Sequence, residues 1–267
     1  MGLLAFISLQ KEIYANYPIG RGRTAVITTY NYFASSQYYD TTGKLVKYPP
    51  GNRFQSKTLM FNLVHGINRN LDFSLNAPIL RQEMITGPYM QSNTGLGDIN
   101  MSLSFHFPDL LYKKYFTIKT GVIIPTYTNN DSTPQLGYSS KAFQLSANYS
   151  FSPFKNGFGI VDFGYTRFLD DKEGPNQYTG SLIVGKIFNK YTTVTLNYSH
   201  QLSISTDKKF NQNVMVNKNF YGGNLSLSVG RRLTRSISAT VQVFHTMYGK
   251  NMGIGTGASC FFTISLP

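Results

Sequence analysis

The chain has 267 residues, with 25 Lys and Arg against 12 Asp and Glu, a formal charge of +13 and only 14% charged residues, where a soluble domain carries roughly 25%. Its excess lies in 19 Tyr and 20 Phe beside 24 Gly; so many aromatics exclude disorder, and the single Cys260 excludes an internal disulfide framework and a Cys-built zinc site. The longest apolar run, residues 2–9, is far short of the roughly 18 residues of a spanning helix, and positive charge occurs in no run longer than Lys113-Lys114, Lys208-Lys209 or Arg231-Arg232, which argues against nucleic acid as a partner.

In chain order, the apolar residues 2–9, then Lys11-Glu12 and the small Ala15, predict the remains of an export signal over 1–15, leaving 16–267 as one domain. From Arg23 onward, segments of about a dozen residues alternate apolar with small polar, a period of two. Ile99, Met101, Leu103, Phe105 and Phe107 share one face, and Asp98, Asn100, Ser102, Ser104 and His106 the other. Leu225, Leu227 and Val229 oppose Asn224, Ser226 and Ser228 in the same way. Twelve such segments are expected, near 23–37, 53–66, 71–83, 94–107, 115–128, 139–151, 158–170, 177–188, 191–204, 220–232, 236–248 and 255–266. The connectors at 67–70, 108–114, 152–157, 189–190 and 233–235 are short. Those at 38–52, 84–93, 129–138 and 205–219 are long, and 171–176 and 249–254 are intermediate.

An even number of segments, with short turns at one end and long loops at the other, describes an outer-membrane barrel with periplasmic termini. Crossing an apolar band of about 25 Å with tilted strands takes roughly ten residues, whereas sandwich strands run about five or six. The expected fold is therefore all-β, a single 12-stranded antiparallel transmembrane barrel in the bacterial outer membrane. Its apolar face meets lipid and lipopolysaccharide, and its polar face lines the lumen. Parity puts Met60, Asn62, Asn76, Asp98, Asn100, Lys119, Ile123, Gln144, Asn148, Asp162, Asn197, Asn224, Gln242, Phe244 and Phe261 on that lining. Few of these are charged, which suits small neutral or weakly polar solutes better than an ion porin with charged rings.

Tyr38-Tyr39-Asp40 with Gly43-Lys44, then His65-Gly66-Ile67-Asn68-Arg69-Asn70-Leu71, Gly95-Leu96-Gly97-Asp98-Ile99 and Ile124-Pro125-Thr126 resemble the outer-membrane barrels named for the MetA pathway of phenol degradation. The likeness spans most of the chain in order, and Gly-Leu-Gly-Asp-Ile is its most specific piece. His65, Asn68 and Tyr127 depart from the family pattern, and Phe261 and Phe262 stand back from Leu266-Pro267 where such barrels end in an aromatic. The resemblance implies uptake of small hydrophobic or aromatic compounds.

Catalysis is not expected. None of His65, His106, His200 and His245 has the His-x-Ser spacing of barrel lipases, and His200 and Ser203 fall on opposite faces of a strand. No local metal-ligand spacing joins the four histidines, so neither metal nor cofactor is expected, and Asp170-Asp171-Glu173 reads as a solvated loop cluster. Pro78 and Pro125 interrupt strands and mark bulges near the long-loop end. The leading expectation is passive passage of small hydrophobic or aromatic solutes. The alternative is a non-transporting barrel that docks to a protein partner in a larger outer-membrane complex through loops 38–52 and 205–219.

Overall fold

Alternation with a period of two leaves each segment one face for an apolar medium and one for a wet interior, and only a closed sheet satisfies every backbone group between the two. The computed structural model describes residues 17–111, 113–129, 134–169, 174–208 and 217–267; the expected export signal and Asp170-Asp171-Glu173 lie outside them. The strands are β1 (Thr24–Tyr39), β2 (Leu45–Lys47), β3 (Arg53–Gly66), β4 (Leu71–Thr86), β5 (Tyr89–Leu96), β6 (Ile99–Pro108) and β7 (Tyr115–Ile124). They continue with β8 (Ala142–Phe151), β9 (Gly157–Phe168), β10 (Asn176–Ile187), β11 (Thr192–Ile204), β12 (Phe220–Arg232), β13 (Ile237–Lys250) and β14 (Met252–Leu266).

All but β2 and β5 form a closed antiparallel barrel of twelve strands, in which β14 returns to β1 from Thr24↔Leu266 to Tyr39↔Met252. β2 extends β1 at the long-loop end. Burial follows the expected parity: in β12, Leu227 is 48% exposed and its neighbour Ser226 3%. Leu103 and Leu145 likewise point out, against buried or half-buried Ser104 and Gln144, and Cys260 is exposed on the outer face.

Three boundaries differ from the sequence reading. The segment near 94–107 is broken at Gly97-Asp98: β6 pairs with the inner half of β4 (Leu71↔Phe105 to Asn76↔Asn100), and β5 pairs with its outer half (Ile79↔Leu96 to Thr86↔Tyr89). Pro78 sits at the break and has no N–H for the ladder, while its carbonyl accepts from Gly97 N at 2.8 Å. The long connector at 84–93 is thus the tip of a β4–β5 hairpin rather than a loop. Pro125 ends β7 at Ile124, four residues early, so residues 125–141 form a longer loop than 129–138. At the other end of the chain β14 starts at Met252, and the connector shrinks to Asn251, whose φ of 57° is tolerated by Asn.

At the short-turn end, residues 17–23 run against the inner wall. Gly22 N donates to Gly66 O at 2.7 Å and Gly66 N to Arg23 O at 2.9 Å. A Cβ on Gly66 would lie 1.9 Å from Gly20 O, so only glycine admits this crossing.

Candidate functional site: the bore and its two ends

At the long-loop end, side chains from six strands meet across the interior. Phe33 (β1), Phe54 (β3), Leu80 (β4), Phe220 (β12), Phe244 (β13) and Met252 (β14) form one apolar cluster with Leu136 of loop 125–141, and Tyr39, Met84 and Tyr127 pack against it. Phe33 and Phe244 stack with centroids 6.2 Å apart and planes 10° apart. Phe244 occupies space that a side chain at position 257 would need, since a Cβ on Gly257 would come within 2.0 Å of its ring. Of this cluster the sequence reading named only Phe244. Phe54, Phe220 and Met252 stand at strand ends, where parity alone does not tell bore from rim; Phe33 and Leu80 lie within β1 and β4 on the inward face, and Leu136 comes from a loop.

The described parts of this connection, residues 125–129 and 134–141, are tied to one another and to the strand ends. Ser139, with φ 53°, donates from Oγ to Tyr127 O at 2.8 Å. Thr126 Oγ1 reaches the carbonyls of Leu96 and Gly97, both at 2.9 Å, and Asn129 Nδ2 donates to Gly137 O at 2.7 Å. Tyr138 lies edge-on to Phe168 at 4.8 Å, beside Ile123 and Ala142, and donates to Asn217 O at 2.8 Å. Asp98 stands at the β5–β6 break against Tyr127 and Gly137 rather than in mid-bore. Burial outweighs the Tyr127 hydrogen bond and pushes its carboxyl up to about 6; the same burial, with Asp98 beside it, pushes the Tyr127 hydroxyl upward.

Below this layer the interior is polar. Met60, Asn76, Asn100, Ile123, Asn148, Asp162, Asn197, Gln242 and Phe261 are buried, and Asn62, Lys119, Gln144 and Asn224 half-buried. Asn76 Nδ2 donates to Met60 Sδ at 2.9 Å; Asn100 bonds Gln144, which donates to Thr166 Oγ1 at 3.3 Å. Asn62, Asn76, Asn100, Lys119, Gln144, Asn148 and Asp162 line one cavity of about 160 Å³. The side-chain amides of Asn197 and Gln242, each 1% exposed, have no hydrogen-bond partner among the described residues. Buried amides are ordinarily satisfied by protein, water or ligand, so these two are groups for water or a solute to meet.

The same cavity contains an arrangement that sequence spacing does not reveal. His106 Nε2 lies 2.9 Å from Asp72 Oδ2, and His106 Nδ1 lies 2.9 Å from Thr117 Oγ1. Asp72 also accepts from Ile19 N at 3.1 Å, which ties residues 17–23 to the wall. The residues come from β4, β6 and β7, so their proximity depends on register across three strands. In the tautomer that donates from Nε2 to Asp72, Nδ1 accepts from Thr117 Oγ1. Of the other histidines, His65 bonds Thr24, His200 bonds Tyr248 and His245 bonds Thr256. Among the described residues no group of three His, Cys, Asp or Glu is placed to hold a metal ion.

A closed twelve-stranded barrel with an apolar outer band defines the class: this is a β-barrel of the outer-membrane type. The chain belongs to the family described as "Putative MetA-pathway of phenol degradation", which matches residues 34–265. Among solved structures it is similar to the COG4313 outer membrane channel from Pseudomonas putida F1, with TM-score 0.76, 13% identity, and coverage of 92% of this chain and 96% of that one. The NanC porin follows at TM-score 0.54, 9% identity and coverage of 91% and 100%. The translocator domain of the autotransporter NalP from Neisseria meningitidis has TM-score 0.55, 9% identity and coverage of 99% and 93%. At these identities the likeness speaks for the fold. Among curated proteins nothing matches the chain.

Proposed function

We propose that the protein is a passive channel of the bacterial outer membrane for small apolar or aromatic solutes, not an enzyme, with the short turns and the ends of β1 and β14 on the periplasmic side. The observation that carries this reading is the apolar layer of Phe33, Phe54, Leu80, Leu136, Phe220, Phe244 and Met252 across the long-loop end of an otherwise polar bore. A wide water-filled porin has no use for such a layer, because an apolar constriction holds back small hydrated ions and favours solutes whose rings shed their water readily. An aromatic solute leaving water there recovers about 25 cal/mol for each Å² of apolar surface it buries, and the amides of Asn197 and Gln242 below it receive the solute's polar group. The family's description and the channel from Pseudomonas putida F1 agree with passage of this kind.

The test is equilibration of labelled phenol across vesicles with a lipopolysaccharide outer leaflet. Vesicles containing the protein should fill severalfold faster than empty ones, and Leu136→Ala with Phe244→Ala should change that rate while the barrel stays folded. Wild-type vesicles no leakier than empty ones would sink the passage reading and leave a barrel that docks to a protein partner through its long loops.

A further inference from the structure

The cations are not spread evenly over the molecule. Around the short-turn end stand Arg21, Arg23, Arg69, Lys113, Lys114, Lys155, Lys186, Lys190, Arg231, Arg232 and Arg235, against Asp109 in the turns and the buried Asp72. Six of them, Lys113, Lys155, Lys190, Arg231, Arg232 and Arg235, line a cavity of about 900 Å³ at this end of the bore, and among the described residues no carboxylate shares that lining. Asp109 is occupied by the backbone amides of Lys113 and Lys114 at 2.7 and 3.1 Å, and this holds its carboxyl below the usual range. Arg232 is braced by the turn it enters: Nε donates to Thr234 O at 3.2 Å and Nη2 to Arg235 O at 3.0 Å. Among the described residues none of the six has an ion-pair partner within 4.0 Å. Tyr17, Phe154, Phe158 and Tyr191 share the lining.

We infer that this end is a cationic vestibule that selects aromatic anions, such as carboxylates and sulfonates, among the solutes that use the bore. The inference rests on the passage reading and narrows its substrate class. A concave mouth with like charges and apolar walls focuses its field into the opening and raises the local concentration of the opposite charge. The aromatic walls take the solute's ring while guanidinium groups take its anionic head. Passage is passive, so the field at one mouth weights flux in both directions. Anionic lipid headgroups are the other source of negative charge at this surface. The vestibule set differs from a headgroup-binding set by lining the bore, whereas Lys186 stands outside it, 5.3 Å over the ring of the exposed Phe188.

The test is the zero-current potential of single barrels in planar bilayers under a tenfold gradient of potassium benzenesulfonate at low salt. The wild type should favour the aromatic anion over potassium by about tenfold, and the preference should shrink in high salt as screening shortens the field's reach. Lys155→Gln, Lys190→Gln, Arg232→Gln and Arg235→Gln together should bring the ratio near one, while Arg232→Lys with Arg235→Lys should keep it; heat-modifiable gel mobility checks that each variant folds. An unselective or cation-selective wild type, or a barrel that passes phenol but no ions, overturns the vestibule and spares the passage reading. A barrel that passes neither overturns both. Loss of the preference when phosphatidylcholine is replaced by anionic phosphatidylglycerol assigns the cations to headgroups and also overturns the inference.

Discussion

Leu227 and Ser226 are adjacent in β12 and face opposite media, so they isolate what one side chain contributes to the wall. Arginine at a lipid-facing position near the midplane costs about 2–4 kcal/mol. Leu227→Arg should therefore lower stability in urea titrations of the vesicle-inserted protein by that amount, and Ser226→Arg by much less, because its guanidinium reaches the polar bore. Equal losses would show that the two positions do not face different media. Asp98 carries a pH dependence of determinate sign. Its carboxyl titrates near 6 in the folded barrel and near 4 in an unfolded chain, so the fold favours the protonated form. Its contribution is most favourable below about pH 4 and is lost as pH rises through the window from about 4 to about 6. Asp98→Asn should be more stable than wild type at pH 7 and lose that advantage at pH 4; an unchanged difference between the two would remove burial as the cause.

The proline breaks and the folded-in segments decide behaviour at the scale of the element. β5 is exposed along most of its length and, among the described strands, pairs with β4 alone, so the β4–β5 hairpin extends past the barrel wall. Shortening it within residues 84–92 should leave the barrel's heat-modifiable mobility unchanged; a barrel that fails to form would mean that the hairpin is needed for closure. Residues 17–23 are held by the Gly20–Gly66 crossing and by Ile19 on Asp72. Gly66→Ala should unseat them without opening the sheet, and trypsin should then cut at Arg21 or Arg23 at least severalfold faster than in wild type. Equal cutting rates would mean that the close approach does not hold the segment.

For the whole molecule, closure of β14 on β1 leaves no free edge in the twelve-stranded wall, with only β2 and β5 extending beyond it, and such a closed sheet resists detergent until heated. Unheated protein should migrate faster than boiled protein and show a β-dominated circular dichroism spectrum; a helical spectrum would contradict the fold. Ser104 and Ser226 both point inward on nearly opposite stretches of wall. Phe at either should slow phenol equilibration several-fold while gel mobility stays native, and unaltered rates would place the path elsewhere.

How much of this was legible in the sequence follows from what is local. Strand number, the parity of Leu227 against Ser226, and the end with short turns each depend on side-chain alternation and turn chemistry within a dozen residues, and a closed sheet is the arrangement that satisfies both faces in a membrane. Pro78 and Pro125 were visible as interruptions, but the split into β5 and β6 depends on which half of β4 each one meets. The apolar layer joins Phe33, Phe54, Phe220 and Phe244 to Leu136, more than 200 residues apart at the extremes, and a loop's return into the bore leaves no periodic mark. The Asp72–His106–Thr117 chain and the cationic vestibule have the same origin. Alternation along one strand says which face a side chain takes, but the registers of all twelve strands and the path of residues 17–23 and 125–141 decide which side chains share a height in the bore, because only closure brings opposite walls within reach of one another.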